Sequence, residues 1–183
     1  MIVVLYIVGG LVGLVAMLAL IGMFLPRGHV AARTARLARP PDEVWRALTD
    51  LDAAPGWRSD LKRLERLPDR DGKPAFREHT RQGAITYVID EETAPPTGRR
   101  IGRIDDDGLP YGGRWIYELV SDGDATRLTI TEDGFIKNPV FRVLSRTVFS
   151  TTATVERYLR DLGAHLGVDG TPAVAEPSAL TRR

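Results

Sequence analysis

Hydrophobic and polar residues follow three patterns along this chain, and each predicts a different kind of structure. From Ile2 to Leu25 no charged residue occurs, and fifteen of the positions are Ile, Val, Leu or Phe. As a helix rising 1.5 Å per residue, the stretch is roughly 36 Å long, enough to cross a hydrocarbon core of about 30 Å with some tilt. Insertion of those side chains, at about 0.3–0.6 kcal/mol each, outweighs the cost of the glycines among them. One transmembrane helix over residues 2–25 is therefore predicted. A cleaved signal peptide fits less well. The run is longer than the usual apolar region, no basic residue precedes it, and Met23-Phe24-Leu25-Pro26 is a poor cleavage site.

The second pattern is alternation. From Val30 to Arg39 small or apolar residues alternate loosely with arginine, predicting an amphipathic strand. Pro40-Pro41-Asp42-Glu43 then predicts a helix start, with proline pre-set for the first turn and two acids at the positive end of the dipole. Asp50 to Arg58 reads as a second short helix and turn. Strands are predicted over 61–67, 75–82, 84–92, 99–105, 113–121 and 125–133. Turn residues separate most of them, as in Asp69-Arg70-Asp71-Gly72 and Ser121-Asp122-Gly123-Asp124. Connections this short favour antiparallel neighbours.

The third pattern has a helical period. After Asn138-Pro139, a good cap and first helical residue, Phe141, Leu144, Val148, Thr152, Val155, Leu159, Leu162 and Leu166 recur near every 3.6 residues up to Gly167. One long helix with one apolar face is predicted. Arg142, Arg146, Arg157 and Arg160 fall to its solvated side. Residues 168–183 show no period and read as a disordered tail. The layout is α+β: a curved antiparallel sheet of seven strands around a long C-terminal helix, preceded by one transmembrane helix. Residues 1–26 form the anchor, 27–167 the domain and 168–183 the tail, so the domain is expected to fold without the anchor.

Charge adds orientation. Arg27, Arg33, Arg36 and Arg39 follow the apolar run and no basic side chain precedes it, so the positive-inside rule places the domain in the cytoplasm of a single-pass cell-membrane protein. Net charge is +1, and those four arginines leave −3 for residues 40–183. A mildly acidic domain without a basic stripe argues against nucleic acid as a partner. Gly9 and Gly13 share a face of the apolar helix, a small-xxx-small pair that would allow a weak homodimer.

Several local motifs occur together, in order. They are Arg39-Pro40-Pro41-Asp42-Glu43-Val44-Trp45, Leu48-Thr49-Asp50-Leu51, Pro55-Gly56-Trp57, Gly113-Arg114-Trp115-Ile116-Tyr117-Glu118-Leu119 and Thr126 to Glu132, followed by Asn138-Pro139-Val140-Phe141-Arg142 and Tyr158 to Leu162. With the element order, they resemble the helix-grip, START-like superfamily in its polyketide cyclase/dehydrase-like branch, over about residues 30–167. The resemblance implies a cavity between sheet and helix that takes lipids, sterols, hormones or polyketides. It does not imply catalysis, which only some members perform. The anchor departs from the common cytosolic members and favours a membrane-related ligand.

Familiar catalytic constellations are missing. The chain has no cysteine, which removes thiol nucleophiles and zinc thiolates, and His29, His79 and His165 lie far apart without metal-ligand spacing. Asp105-Asp106-Asp107-Gly108 lacks the alternate ligands of a calcium loop and reads as a solvated turn. No metal or cofactor is expected. What remains is the predicted cavity. Trp115 and Tyr117 share one strand face, as do Leu128, Ile130 and Glu132, and Phe76 and Glu78. Phe141, Leu144 and Val148 would face them from the helix. Such walls are apolar with two carboxylates, the character of a ligand pocket. Glu78 and Glu132 would be acid/base candidates if buried, or structural if paired with arginine at the rim. The reading is a binding module for a hydrophobic small molecule or lipid. The alternatives are a cyclase- or aromatase-like enzyme, which needs a polar titratable cavity, and a protein-interaction domain, whose cavity would be filled.

Overall fold

The computed structural model describes residues 1–81, 83–96, 98–147 and 152–181, the side chains of residues 146 and 147 excepted. Helix α1 runs Ile2–Phe24, is long and apolar enough to cross a membrane, and is bare over most of its length. Strand β1 (Gly28–Leu37) follows, then α2 (Pro41–Thr49) and the single turn α3 (Ala54–Trp57). A run of strands comes next: β2 (Leu61–Arg70), β3 (Lys73–Thr80), β4 (Ala84–Thr93), β5 (Gly98–Ile104), β6 (Tyr111–Asp122) and β7 (Ala125–Ile136). Two helices close the domain, α4 (Pro139–Thr147) and α5 (Ala153–Leu166). Every strand predicted by alternation is present within a few residues.

The sheet is antiparallel and curved, in the order β2-β3-β4-β5-β6-β7-β1 with a short β8 (Ala173–Val174) on the far edge of β1. In its concave face lies α5, docked by Val155, Tyr158, Leu159 and Leu162, which repeat at helical spacing. Those side chains meet Ala35, Leu37, Leu119, Leu128 and Ile130 from the sheet and Val44 and Leu48 from α2. This is the helix-grip arrangement. Gly167 ends α5 in the left-handed conformation (φ 67°), a conformation that glycine adopts at low cost.

Three features depart from the sequence reading. The helix predicted over 139–167 is described as α4 and as α5, the latter capped by Thr152 (φ −107°, ψ −10°), while residues 148–151 of the prediction lie outside the described residues. Residues 168–181, expected as part of a disordered tail, pack back on the domain: a Cβ on Gly163 would lie 2.5 Å from the backbone of Gly170, so chain and helix cross in direct contact. Further on, Ser178 donates its backbone N–H to Thr131 Oγ1 (3.0 Å) on the outer face of the sheet. The sheet therefore has eight strands, not seven, the eighth only two residues long.

The third departure concerns the joint between α1 and the domain. Asn138 caps α4 through Oδ1, which accepts from Val140 N (2.9 Å), as its sequence predicts. The apolar α1 packs on this helix. Its buried residue is Gly22, where a Cβ would fall 1.9 Å from the carbonyl oxygen of Pro139. Arg142, expected on a solvated face, is 5% exposed. Its guanidinium donates to the carbonyls of Gly22 (2.9 Å), Ile136 (2.9 Å) and Lys137 (2.8 Å). A buried cation is tolerable only when its donors are satisfied in this way. Helix α1 and the domain thus share a packed contact beyond the connector at Pro26.

Candidate ligand cavity

Alternation places Phe76, Glu78 and Thr80 of β3 on the concave face, with Ile85, Tyr87 and Ile89 of β4 and Arg100, Gly102 and Ile104 of β5. Trp115 and Tyr117 of β6 and Glu132 of β7 join them, and all line one cavity. Its volume is about 1110 Å³, above the few hundred to 1,000 Å³ usual for drug-sized ligands. The register explains the grouping: Phe76 pairs with Tyr87, Gly102 with Trp115, and Trp115 with Glu132, so inward side chains meet across each ladder. Phe76 and Tyr87 stack at 5.5 Å between centroids.

Of the residues predicted to line this space, Trp115, Tyr117, Phe76, Glu78, Glu132 and Phe141 do so. Leu128 and Ile130 have the right parity but lie beneath α5, fully buried in the core. Leu144 of α4 is half-buried and outside the lining. Val148 lies outside the described residues. Parity selects a face of a strand, but the helix decides how much of that face stays open. Tyr87, Tyr158, Trp57, Arg58 and Arg100 line the cavity and were missed. Tyr158 was findable, since it lies on the apolar stripe of the last helix. Nothing in the sequence marks the two arginines as inward.

Near the β3–β4 turn, where Glu78 pairs with Ile85, the cavity holds a charged cluster. Arg58, with its side chain 10% exposed, clasps Glu78 with two nitrogens, and it reaches Asp60 Oδ2 at 3.1 Å and Oδ1 at 3.3 Å. Burial alone would lower the Arg58 pKa, but the Glu78 and Asp60 carboxylates outweigh it and hold it above its ordinary value. The guanidinium also sits 5.4 Å from the Tyr158 ring centroid. Glu78 is thus paired with an arginine, as the structural alternative required, but inside the cavity rather than at its rim. Arg100 is equally committed, to Leu48 O (3.0 Å) and Glu92 (3.1 Å). Glu132 pairs with His29 Nε2 (3.1 Å) rather than with an arginine.

What is left for a ligand is neutral. Around Tyr158 stand Trp57 (5.3 Å), Tyr117 (5.7 Å) and Trp115 (6.0 Å), measured between ring centroids. The hydroxyls of Tyr87, Tyr117 and Tyr158 make no hydrogen bond to another described residue. Trp57 Nε1 is buried without a partner. Burial raises the pKa of all three tyrosines, that of Tyr158 to about 12, so each keeps its proton and can donate. The cavity combines aromatic walls with unspent neutral donors. Outside it, His79 is engaged by Glu65 and Arg63 on the outer face. Asp105 is bound by Arg70 and Arg103, which holds its carboxyl below the usual range.

At that same end of the sheet, beside the β3–β4 turn, the exposed Tyr111, Phe135 and Phe141 line the opening of the cavity. This is the end of the sheet where β1 begins, and so the end at which α1 arrives. Arg81 and Arg157 stand there, exposed and without an ion pair to any described residue.

Comparisons with known proteins agree with this geometry. The family model described as polyketide cyclase / dehydrase and lipid transport matches residues 29–167. Comparison with curated proteins gives no match. Among solved structures, the Zhui aromatase/cyclase from a Streptomyces species superposes with TM-score 0.60 at 14% identity, over 76% of this chain and 94% of that one. A START superfamily protein from Mycobacterium smegmatis gives 0.57 at 17%, over 76% and 97%. Truncated norcoclaurine synthase from Thalictrum flavum gives 0.60 at 10%, over 76% and 93%. At such identities these likenesses speak for the fold, and the match over residues 29–167 speaks for the family. This chain belongs to the polyketide cyclase / dehydrase and lipid transport family.

Proposed function

We propose that this protein is a membrane-anchored binding module that holds a hydrophobic small molecule or lipid between its sheet and α5, with α1 as the anchor. The observation that carries the reading is the cavity itself: about 1110 Å³ walled by aromatic rings, with tyrosine hydroxyls and an indole N–H unspent. Around Tyr158 the charged groups Arg58, Glu78 and Arg100 are already paired, so deep in the cavity a ligand meets neutral donors. That suits an apolar body bearing a carbonyl, ester or hydroxyl oxygen. The open volume is contrary to the filled cavity that a protein-interaction role required. The arginines after α1 favour a cytoplasmic domain. Gly9 and Gly13 have open space beside them, where a second α1 could pack.

Gly102 supplies the test. It faces the cavity, and a Cβ there would meet only Ile89 Cδ1 at 3.9 Å, so a larger side chain can enter the void without backbone strain. We expect a brominated fatty acid to quench Trp115 emission in the full chain held in nanodiscs. Gly102→Leu should keep the melting temperature and lose most of that quenching. Equal quenching in both proteins would place the probe outside the cavity and refute the reading.

One observation favours a second reading, in which the bound molecule is also transformed. His29 and Glu132 form a partly exposed pair inside the cavity, a combination able to move a proton. Turnover that disappears in Glu132→Gln while quenching persists would establish it.

A further inference from the structure

The contact between α1 and α4 fixes a depth. Along α1 the shielded positions are Leu18, Ala19, Gly22 and Leu25, which share one face, and the rest of the helix is exposed. Leu18 to Leu25 spans roughly 10 Å of helix axis. All of α1 is roughly 35 Å long against a hydrocarbon core of about 30 Å, so little of it is left over once it spans. A helix packed along its last two turns is therefore below the head groups, not above them.

The first two turns of α4 suit that level, before the polar Ser145-Arg146-Thr147 of its end. Val140, Phe141, Val143 and Leu144 are apolar, and Arg142 is turned inward onto three carbonyls, where it costs little in an apolar setting. Exposed aromatic residues gather at the same end: Phe24 (84%), Phe141 (47%), Phe135 (43%) and Tyr111 (37%). Aromatic side chains concentrate at membrane interfaces in this manner. Asp107, exposed on the adjoining loop, keeps that loop in water and sets the limit of immersion.

We propose that α4 is an interfacial helix, sunk into the bilayer beside the end of α1, and that the rim formed by Tyr111, Phe135 and Phe141 seats the cavity mouth on the membrane. The occupant of this surface is the lipid bilayer itself. An amphiphile then passes between bilayer and cavity without crossing water, with Arg81 and Arg157 at the head-group level. The depth of α4 rests on the anchor reading of α1, and the route of the ligand rests on the cavity reading.

The chain has no cysteine, so single cysteines can carry a nitroxide label in the full-length protein. The protein would be held in nanodiscs of phosphatidylcholine and phosphatidylglycerol, with labels at Phe141→Cys on α4 and at Asp124→Cys, exposed in the β6–β7 turn at the opposite end of the sheet. Collision with oxygen, which concentrates in lipid, and with a nickel chelate, which stays in water, reports the depth of each. We expect nickel access at position 141 to be several-fold lower than at position 124, and oxygen access to be higher. If Phe141→Cys fails to melt cooperatively, Val140→Cys takes its place with the same expectation. Equal nickel access at α4 and at position 124 would overturn the interfacial helix, even where the brominated fatty acid still quenches Trp115. A shielded α4 without quenching would uphold the helix and overturn the route into the cavity.

Discussion

Tyr158 shows how much a residue's surroundings decide its chemistry. Its ring is packed among Trp57, Tyr117 and Trp115, and burial raises its pKa from 10 to about 12. Below pH 10 the tyrosine is protonated in both folded and unfolded chains, and its contribution to stability is complete. Between pH 10 and 12 the unfolded chain releases the proton first, so stability falls as pH rises, by at most about 1.4 kcal/mol per pH unit for this one group. Thermal melts of the full chain from pH 9 to 11 should show a shallower decline for Tyr158→Phe than for the unaltered protein. Parallel declines would mean that the hydroxyl is not held protonated by the fold. At this scale the sequence was only partly readable. Aromatic parity on β6 brought Trp115 and Tyr117 to the cavity. Arg58 and Glu78 lie twenty residues apart on separate elements, and no local pattern reveals that a fold will bury them together. Arg142 was misread for a related reason. Its partners are backbone carbonyls, which every residue carries and no sequence pattern distinguishes.

Elements were more legible than sites, because each strand repeats its signal several times. Alternation in Trp115 to Leu119 and in Leu128 to Glu132 fixed both strands and their faces, and glycine- or aspartate-bearing turns fixed most boundaries. The last helix carried a true period. Its single apolar stripe does not announce that α4 packs on α1 while α5 packs on the sheet. The packing of residues 168–181 was missed because it comes from close backbone approach at Gly170 and single hydrogen bonds, which leave no periodicity. For α5 the periodic reading makes a quantitative claim. Leu159 is fully buried, so Leu159→Ala should cost about 2–5 kcal/mol, as other buried leucine truncations do. Arg160, on the opposite face and paired only with Glu156 at 3.4 Å, should change stability by less than about 0.5 kcal/mol when replaced by alanine. Chemical denaturation of the two variants compares them directly. Similar small losses in both would contradict the docking of α5.

Across the whole molecule, the cavity, the anchor and α4 belong to one arrangement. The curved sheet and α5 enclose the space, while the short helices α2 and α3 stop one end with Leu48, Ala54 and Trp57. The other end opens where α1 joins β1. The domain is fixed to α1 by Arg142 and by the contact between Gly22 and Pro139. The central claim is that the cavity holds a hydrophobic ligand. It is met most directly by the mass of the intact full-length protein, ejected gently from nanodiscs into a mass spectrometer. The account predicts a species heavier than the bare chain by the mass of one amphiphile in the unaltered protein, and its loss in Gly102→Leu. A bare chain alone, or the same adduct in both proteins, would contradict it.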